Sequence, residues 1–276
     1  MRNPDPLRDF DAFDPALLDP MRRARKLDGR RQLTPGSKVV VLGGIGNSFV
    51  AKYGSSGLIS YWKLDEASGD RADSFGSNTL TDNNTVTQAA GKLGNAGQFT
   101  AANNEFLSIA DNASISTGNI DFTICAWVYL DDKTALHAVV VKADDTNDGT
   151  MEYSLIYSNT ADRFRFIVGD GVSLLLVDAD AFGSPSTATW YFLVASHEAA
   201  TSTLSIQVND GTASTAAIGG DPQDAGSSFR IGAYGGPFGP MNGRIDSVSF
   251  WKRLFTAAEK TYLYNNGNGR PIIGSE

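Results

Sequence analysis

The chain has 276 residues, 41% of them hydrophobic, with a formal net charge of −8, two histidines and one cysteine. A single cysteine, Cys125, excludes an intramolecular disulfide framework and any cysteine-rich zinc or iron–sulfur site. The sequence contains no run of about 18 apolar residues, and the N-terminus lacks the apolar stretch of a secretory signal. We therefore expect neither a membrane span nor Sec-dependent export.

The first 56 residues differ from the rest in charge and in proline content. They carry 10 lysines and arginines against 6 aspartates, a net charge of +4, whereas residues 57–276 carry a net charge of −12. Five of the 10 prolines also fall there, and proline both fixes its own backbone and biases the preceding residue towards extended conformations. The sequence predicts an extended, basic, proline-rich anchoring arm over residues 1–56 and one domain over residues 57–276.

Two segments of the arm are candidates for contact with partner proteins. Residues 21–31 contain six basic side chains, and residues 38–42 are an apolar β-branched run too short to bury itself, so it would add to a sheet edge in its own body or in a neighbouring subunit. An acidic protein is favoured over nucleic acid, because no aromatic side chains interleave the arginines. A disordered tail with a solvated charge run is the alternative. The predicted partner-binding residues are Arg22, Arg23, Arg25, Lys26, Arg30, Arg31, Val39, Val40 and Val41.

From residue 57 onward, short alternating or β-branched and aromatic stretches are separated by clusters of Gly, Asn, Asp and Ser. This spacing is typical of an antiparallel sandwich. Residues 257–265, with Thr256 as N-cap, give the single predicted helix. The predicted fold class is all-β: an antiparallel two-sheet sandwich with one short C-terminal helix, preceded by an extended N-terminal arm. The predicted strands are residues 58–64, 97–99, 106–109, 122–130, 138–142, 152–157, 163–168, 173–179, 190–197, 203–208, 228–231 and 243–251.

Several motifs of the domain occur in a recognisable order. They are GLISYWKLDE at 57–66, ADSFG at 72–76, GKLGNAGQF at 91–99, DFTICAWV at 121–128 and GRIDSVSFW at 243–251. Their order resembles that of the LamG-like (laminin G-like) jelly rolls of the concanavalin A-like lectin and glucanase superfamily, over about residues 57–268. The resemblance implies the fold but no single function, because the same sandwich carries lectins, glycosidases, adhesins and structural modules.

The resemblance also implies a calcium ion, which many LamG-like domains bind through hard oxygen ligands. Asp73 and Asp246 occupy the matching motif positions, and Asn78 follows in the same turn as Asp73. Ser247 stands where the family pattern has a second aspartate, which removes one charged ligand. In the alternative interpretation, Asp73 caps a turn and Asp246 hydrogen-bonds the closing strand.

A glycine-rich loop over residues 232–243 is the candidate ligand site. It carries Tyr234, Phe238 and Met241, and exposed aromatic side chains stack on sugars or on a neighbouring protein. The alternative is a loop that folds over the edge of the sandwich.

We expect no enzymatic activity. Glycosidases of this superfamily present paired carboxylates on alternate residues of a strand, as in Glu-x-Asp-x-Glu, and no such run occurs in the sequence. Serine-based catalysis would need His137 or His197 as base, and the chain has no G-x-S-x-G turn. Cys125 lies between apolar neighbours in a predicted strand, which is typical of a core thiol.

A basic arm joined to an acidic jelly roll is similar to the accessory proteins of tailed-phage virions. We expect a non-enzymatic capsid decoration or cement protein, located on the virion and homo-oligomeric. Its arm would bind capsid or other virion proteins, and its projecting domain would contact host-surface glycans. The alternative is a glycan-binding lectin or adhesin module of a tail or cell surface, assisted by calcium.

Overall fold

The computed structural model describes residues 47–147, 149–236 and 238–274. The nine predicted partner-binding residues, from Arg22 to Val41, lie outside these ranges. The described residues belong to the predicted domain and to the last part of the predicted arm, residues 47–56.

Fifteen strands are formed by the described residues, and they make two antiparallel sheets. The strands are β1 (Leu58–Trp62), β2 (Thr81–Asn83), β3 (Thr87–Ala90), β4 (Asn95–Phe99), β5 (Phe106–Ile109), β6 (Phe122–Leu130), β7 (His137–Lys142), β8 (Tyr153–Ser158), β9 (Arg163–Gly169), β10 (Leu174–Asp178), β11 (Trp190–Glu198), β12 (Thr203–Val208), β13 (Ser214–Ala217), β14 (Phe229–Ile231) and β15 (Gly243–Trp251). The described residues also form two α-helices, α1 (Phe49–Tyr53) and α2 (Ala257–Tyr264). Single 3₁₀ turns occur at Ala101–Asn103, Ala199–Thr201 and Asn265–Gly267.

The eight-stranded sheet has the order β13-β12-β11-β6-β15-β4-β3, with β1 also paired to β15. The seven-stranded sheet has the order β10-β9-β8-β7-β14-β5-β2. The all-β, two-sheet antiparallel sandwich with one short C-terminal helix is thus confirmed. All twelve predicted strands are present, with ends shifted by a few residues.

Three strands were not predicted, and each lies at an end of a sheet. β2 ends the seven-stranded sheet, while β3 and β13 are the two ends of the eight-stranded sheet. Their sequences are TDN, TQAA and STAA, with partly exposed small or polar side chains. An edge strand with no large apolar side chain on either face carries no alternating pattern, because it buries little against the core.

The main hydrophobic core lies between the sheets, and a second cluster lies on the outer face of the eight-stranded sheet. β6 shows the division: Ile124 and Ala126 belong to the main core, whereas Cys125 and Trp127 belong to the second cluster. Alternate residues of a strand point to opposite faces, so β6 is buried on both. Burial raises the pKa of the Cys125 thiol to about 12, as suits a core thiol.

Helix α1 covers part of the second cluster and revises the predicted domain boundary. The backbone amides of Phe49 and Val50 donate to the carbonyls of Pro271 and Ile272, both at 2.9 Å. The Phe49 ring is buried and meets Trp251 edge-on at 5.1 Å. These residues were assigned to the arm, but they pack as part of the domain.

Helix α2 begins with a reciprocal cap. The Thr256 hydroxyl accepts from the Glu259 amide, and the Glu259 carboxylate accepts from the Thr256 amide. No helix of the described residues has the length and apolar character needed to cross a membrane.

Candidate functional site

The glycine-rich loop does not present the three predicted ligand-binding side chains. Tyr234 is 1% exposed and Met241 is fully buried, so the prediction that they form an exposed platform is wrong. Phe238 alone of the three is exposed, at 50%. The reason lies beneath the loop, where the seven-stranded sheet has an apolar outer face.

Tyr234 packs on that outer face as part of a third hydrophobic cluster, which includes Val141 and Ile156. Its hydroxyl is hydrogen-bonded to the Ser154 hydroxyl, and burial raises its pKa to about 12. The loop backbone also lies close to the segment that follows β7, because a Cβ atom at Gly235 would lie 1.9 Å from the Asp144 carbonyl oxygen. The loop therefore folds against the sandwich. This result agrees closely with the alternative interpretation, in which the loop folds over the edge of the sandwich.

Asp73 caps a turn. Its Oδ1 accepts from the amides of Tyr61, Phe75 and Gly76 at 3.0, 3.0 and 2.8 Å, and its Oδ2 accepts from the Asn78 amide at 3.0 Å. The structure thus brings Asp73 and Asn78 together, but through a backbone hydrogen bond. Four N–H donors occupy the carboxylate, and such an arrangement does not fit a calcium ligand.

The Asn78 side chain is also engaged. Its amide nitrogen donates to the hydroxyls of Ser60 and Ser114 at 2.7 and 2.9 Å. Its Oδ1 lies 3.2 Å from the Asn112 amide nitrogen and accepts from it. This polar network joins β1 to the loop that follows β5.

Asp246 serves a different turn and is fully buried. Its Oδ2 accepts from the amides of Lys92 and Leu93 at 2.6 and 2.8 Å, and its Oδ1 accepts from the Ser247 hydroxyl at 2.7 Å. Across the described ranges, no group of three or more His, Cys, Asp or Glu side chains is placed to hold a metal ion. Calcium binding stays a prediction, and these hydrogen bonds do not support it.

A groove of about 450 Å³ lies where the edges of the two sheets meet, between β10 and β13. Among the strands of the described residues, each of these two ends its sheet and so has one side without a paired strand. The groove combines aliphatic, hydroxyl and carboxylate side chains, and its lining residues are Leu176, Val177, Asp178, Asp180, Ser214, Thr215 and Ala216.

Both carboxylates of the groove are paired with arginines of β9. Arg165 donates through Nε and Nη2 to Oδ1 and Oδ2 of Asp178, at 2.6 and 2.8 Å. Arg163 Nε lies 3.3 Å from Asp180 Oδ1. Hydrogen bonding to Asp178 raises the pKa of the Arg165 guanidinium, although burial opposes the rise. The groove therefore has a rim of fixed positive and negative charge.

Strand register produces these pairs. Asp178 is the direct partner of Arg165 in the antiparallel pairing of β9 with β10. Arg163 and Arg165 are alternate residues of one strand and so lie on the same face. Leu176 precedes Asp178 by two residues and therefore lies on the same face of β10.

Exposed apolar side chains continue from the groove along β10 and into the turn before it. Val172, Leu174 and Leu176 are 79%, 37% and 39% exposed. Leu174 and Leu176 are alternate residues of β10 and so lie on the same face, whereas Val172 lies in the turn before the strand. Charged and hydroxyl groups beside an aliphatic strip match the mixed surface of a sugar ring, whose hydroxyls hydrogen-bond and whose C–H faces pack.

Sequence reasoning missed this groove. Its residues come from two edge strands about 40 positions apart, and one of those strands was not predicted. The available signal was the two arginines of RFRF at 163–166 and the two aspartates of DAD at 178–180. Their pairing becomes evident only when the register of the β9–β10 hairpin is known.

A family model, Laminin_G_3, described as concanavalin A-like lectin/glucanases superfamily, matches residues 100–259. No curated protein matches the sequence.

Several solved structures are similar in fold. Domain 4 of AbnA, a GH43 extracellular arabinanase from Geobacillus stearothermophilus in complex with arabinotriose, is 20% identical with a TM-score of 0.55, over 74% of this chain and 96% of that one. The binding domain of Paraclostridial Mosquitocidal Protein 1 is 14% identical with a TM-score of 0.60, over 76% and 52%. Trypanosoma rangeli sialidase is 14% identical with a TM-score of 0.54, over 77% and 33%. At such identities the likeness shows the fold alone, and this chain spans about half and a third of the last two.

Proposed function

The chain belongs to the Laminin_G_3 family of the concanavalin A-like lectin/glucanases superfamily, and we propose that it is a carbohydrate-binding module whose site is the groove between β10 and β13. The observation that carries this proposal is the Arg165–Asp178 pair, held in two hydrogen bonds beside the exposed Leu174 and Leu176. A guanidinium donates to sugar hydroxyls, a carboxylate accepts from them, and the leucines pack on the ring.

The arabinotriose bound by the arabinanase domain supports carbohydrate as the ligand class. That domain is matched over almost its whole length, so the similarity is to a complete module. We accordingly take arabinose-containing oligosaccharides as the first probes, within a broader panel of glycans.

The proposed role is binding without catalysis. Glycoside hydrolysis needs one carboxyl group that donates a proton and a second that acts as base or nucleophile. Asp178 uses both oxygens for Arg165, and Asp180 is paired with Arg163. Asp178 is thereby held as the partner of Arg165, and Asp180 alone cannot supply both carboxyl groups.

A glycan array probed with the full-length protein tests the proposal, followed by chemical-shift mapping of backbone amides with an oligosaccharide that binds. We expect shifts in β10 and β13. Shifts confined to residues 232–243 would move the site to the loop, and an array with no bound glycan would refute the function.

Capsid decoration is the second candidate, and the observation that favours it is the charge contrast between residues 1–56 and the acidic domain. In this function the basic residues 22–31 attach the protein to an acidic virion surface by Coulomb attraction, and the module projects from the particle. Deletion of residues 1–46 should abolish particle attachment while leaving glycan binding intact. Attachment that survives the deletion would contradict anchoring by the arm.

A further inference from the structure

A fully buried lysine lies between two carboxylates, away from the proposed glycan groove. The Nζ of Lys142, the last residue of β7, is 2.6 Å from Glu152 Oε2 and 2.7 Å from Asp111 Oδ1. It also donates to the Ala225 carbonyl at 2.8 Å. Nothing in the proposed function uses this cluster of Lys142, Glu152 and Asp111.

Glu152 is fixed in place and shielded from water. Its side chain has no exposed surface, and its Oε1 accepts from both the amide and the hydroxyl of Thr117. Burial raises the pKa of the Glu152 carboxyl, although the hydrogen bonds from Lys142 and Thr117 oppose the rise. A buried carboxylate of this kind takes up a proton more readily than an exposed one.

Asp111 differs from Glu152 in being open to solvent on one side. Its side chain is 37% exposed, and the Ser116 hydroxyl donates to its Oδ1 at 3.1 Å. The hydrogen bond from Lys142 lowers the pKa of Asp111. The Lys142–Asp111 pair thus reaches the protein surface on the Asp111 side, through which a small product can leave.

We propose that Lys142 and Asp111 condense to an intramolecular isopeptide bond, with Glu152 as the catalytic residue that transfers the proton. The ammonium of Lys142 first gives one proton to Glu152, which leaves a neutral amine. The amine attacks Cγ of Asp111, and the hydroxyl of Ser116 stabilises the charge that develops on Oδ1.

The remaining protons complete one molecule of water. Glu152 passes its proton, with a further proton from the attacking nitrogen, to Oδ2, and the Cγ–Oδ2 bond breaks as the Nζ–Cγ bond forms. One ammonium and one carboxylate thus give one amide and one water, Glu152 returns to its starting state, and no electrons are exchanged. The reaction replaces a buried charge pair, which is costly to desolvate, with a neutral amide.

The same chain offers a matched pair that lacks this environment. Lys133 Nζ lies 2.7 Å from Asp162 Oδ1, the same separation as between Lys142 and Asp111. The two side chains are 27% and 43% exposed, so water solvates their charges. We expect no bond there, because no buried carboxylate lowers the cost of deprotonating the lysine.

Mass spectrometry of the denatured full-length protein, with peptide mapping, tests the proposal. We expect a mass lower than that of the sequence by one water molecule, and a branched peptide joining Asp111 to Lys142. Lys133 and Asp162 should appear in unlinked peptides. A full-mass protein with both peptides unlinked would overturn the proposal, as would a water loss that maps to other residues.

Two variants test the role of Glu152 separately from folding. Asp111→Ala removes the electrophile and should restore the full mass. Glu152→Gln keeps the size of the side chain but cannot carry the proton, so it should lose the branched peptide while circular dichroism still reports the β-sandwich. An unchanged yield of branched peptide in Glu152→Gln would contradict catalysis by Glu152.

Discussion

Arg165 donates to both carboxylate oxygens of Asp178, at 2.6 and 2.8 Å, and the two residues are direct partners in the β9–β10 pairing. Both side chains stay about one-fifth exposed, at 21% and 19%. Because the pair is already oriented, a ligand that contacts it loses little further side-chain freedom on binding. This relationship is the basis of the glycan groove.

Tyr234 should affect stability and not carbohydrate binding. Tyr234→Ala removes a buried ring from the third cluster, and we expect the free energy of unfolding to fall by about 3–5 kcal/mol. Tyr234→Phe removes only the hydrogen bond to Ser154, at a cost of roughly 1 kcal/mol. Denaturant titration measures both. Loss of glycan binding in a stably folded Tyr234→Phe protein would instead indicate that the loop is the site.

A substitution of Asp246 tests whether the domain binds calcium through this residue. Asp246→Ala leaves the partly buried amides of Lys92 and Leu93 without their acceptor, which costs roughly 1–3 kcal/mol. Since the carboxylate is used by these amides, we expect the melting temperature to fall equally in calcium and in chelator. A loss seen only with calcium present would show that the ion stabilises the native state through this residue.

Asp132 should contribute to the acid sensitivity of the fold. Burial opposes its ionisation, but hydrogen bonds from Thr134 and Asn242 and the charge of His137 outweigh this and lower its pKa to about 2. A lowered native pKa stabilises the fold above the unfolded value of about 3.9, and the contribution is lost as the pH falls towards 2.

Asp132→Asn should therefore lower the free energy of unfolding at neutral pH by roughly 1 kcal/mol, an effect limited by the partial exposure of the site. The variant should also show a shallower loss of stability between about pH 4 and pH 2. Denaturant titrations across this range measure the difference. Parallel pH profiles for the two proteins would contradict a role for the Asp132 carboxylate.

The start of the folded domain can be tested by truncation. Removal of residues 1–46 should leave the melting temperature of the domain unchanged, whereas removal of residues 1–56 also removes α1 and should lower it. Phe49→Ala in the full chain should cost about 3–5 kcal/mol, because the ring is buried against Trp251 and Phe255. Equal melting temperatures for the two truncations would place the boundary at residue 57.

Periodicity in the sequence predicted the strands that bury large side chains and missed those that do not. β6 carries a long apolar run, and β15 ends in alternating apolar side chains; both are flanked on both sides by other strands and were predicted over their full length. β13, with the sequence STAA, has no such signal. Helix α1 was missed because five residues are too few to show a helical period.

The functional residues were harder to predict for a related reason. An aromatic residue in a glycine-rich loop has the same sequence signature whether it is exposed, as Phe238 is, or buried, as Tyr234 is. What separates them is the apolar outer face of the sheet beneath the loop. The Arg165–Asp178 pair depends on a hairpin register, which composition does not specify.

Isothermal titration with an oligosaccharide selected on the array tests whether the groove binds carbohydrate through Arg165 and Asp178. Asp178→Asn removes the carboxylate charge that pairs with Arg165. The control, Asp144→Asn, removes the charge of an aspartate outside the groove that lies 3.3 Å from Arg230 Nη2. We predict at least a tenfold weaker affinity for Asp178→Asn, about 1.4 kcal/mol, and wild-type affinity for Asp144→Asn. Equal affinities for the wild type and Asp178→Asn would contradict carbohydrate binding through this pair.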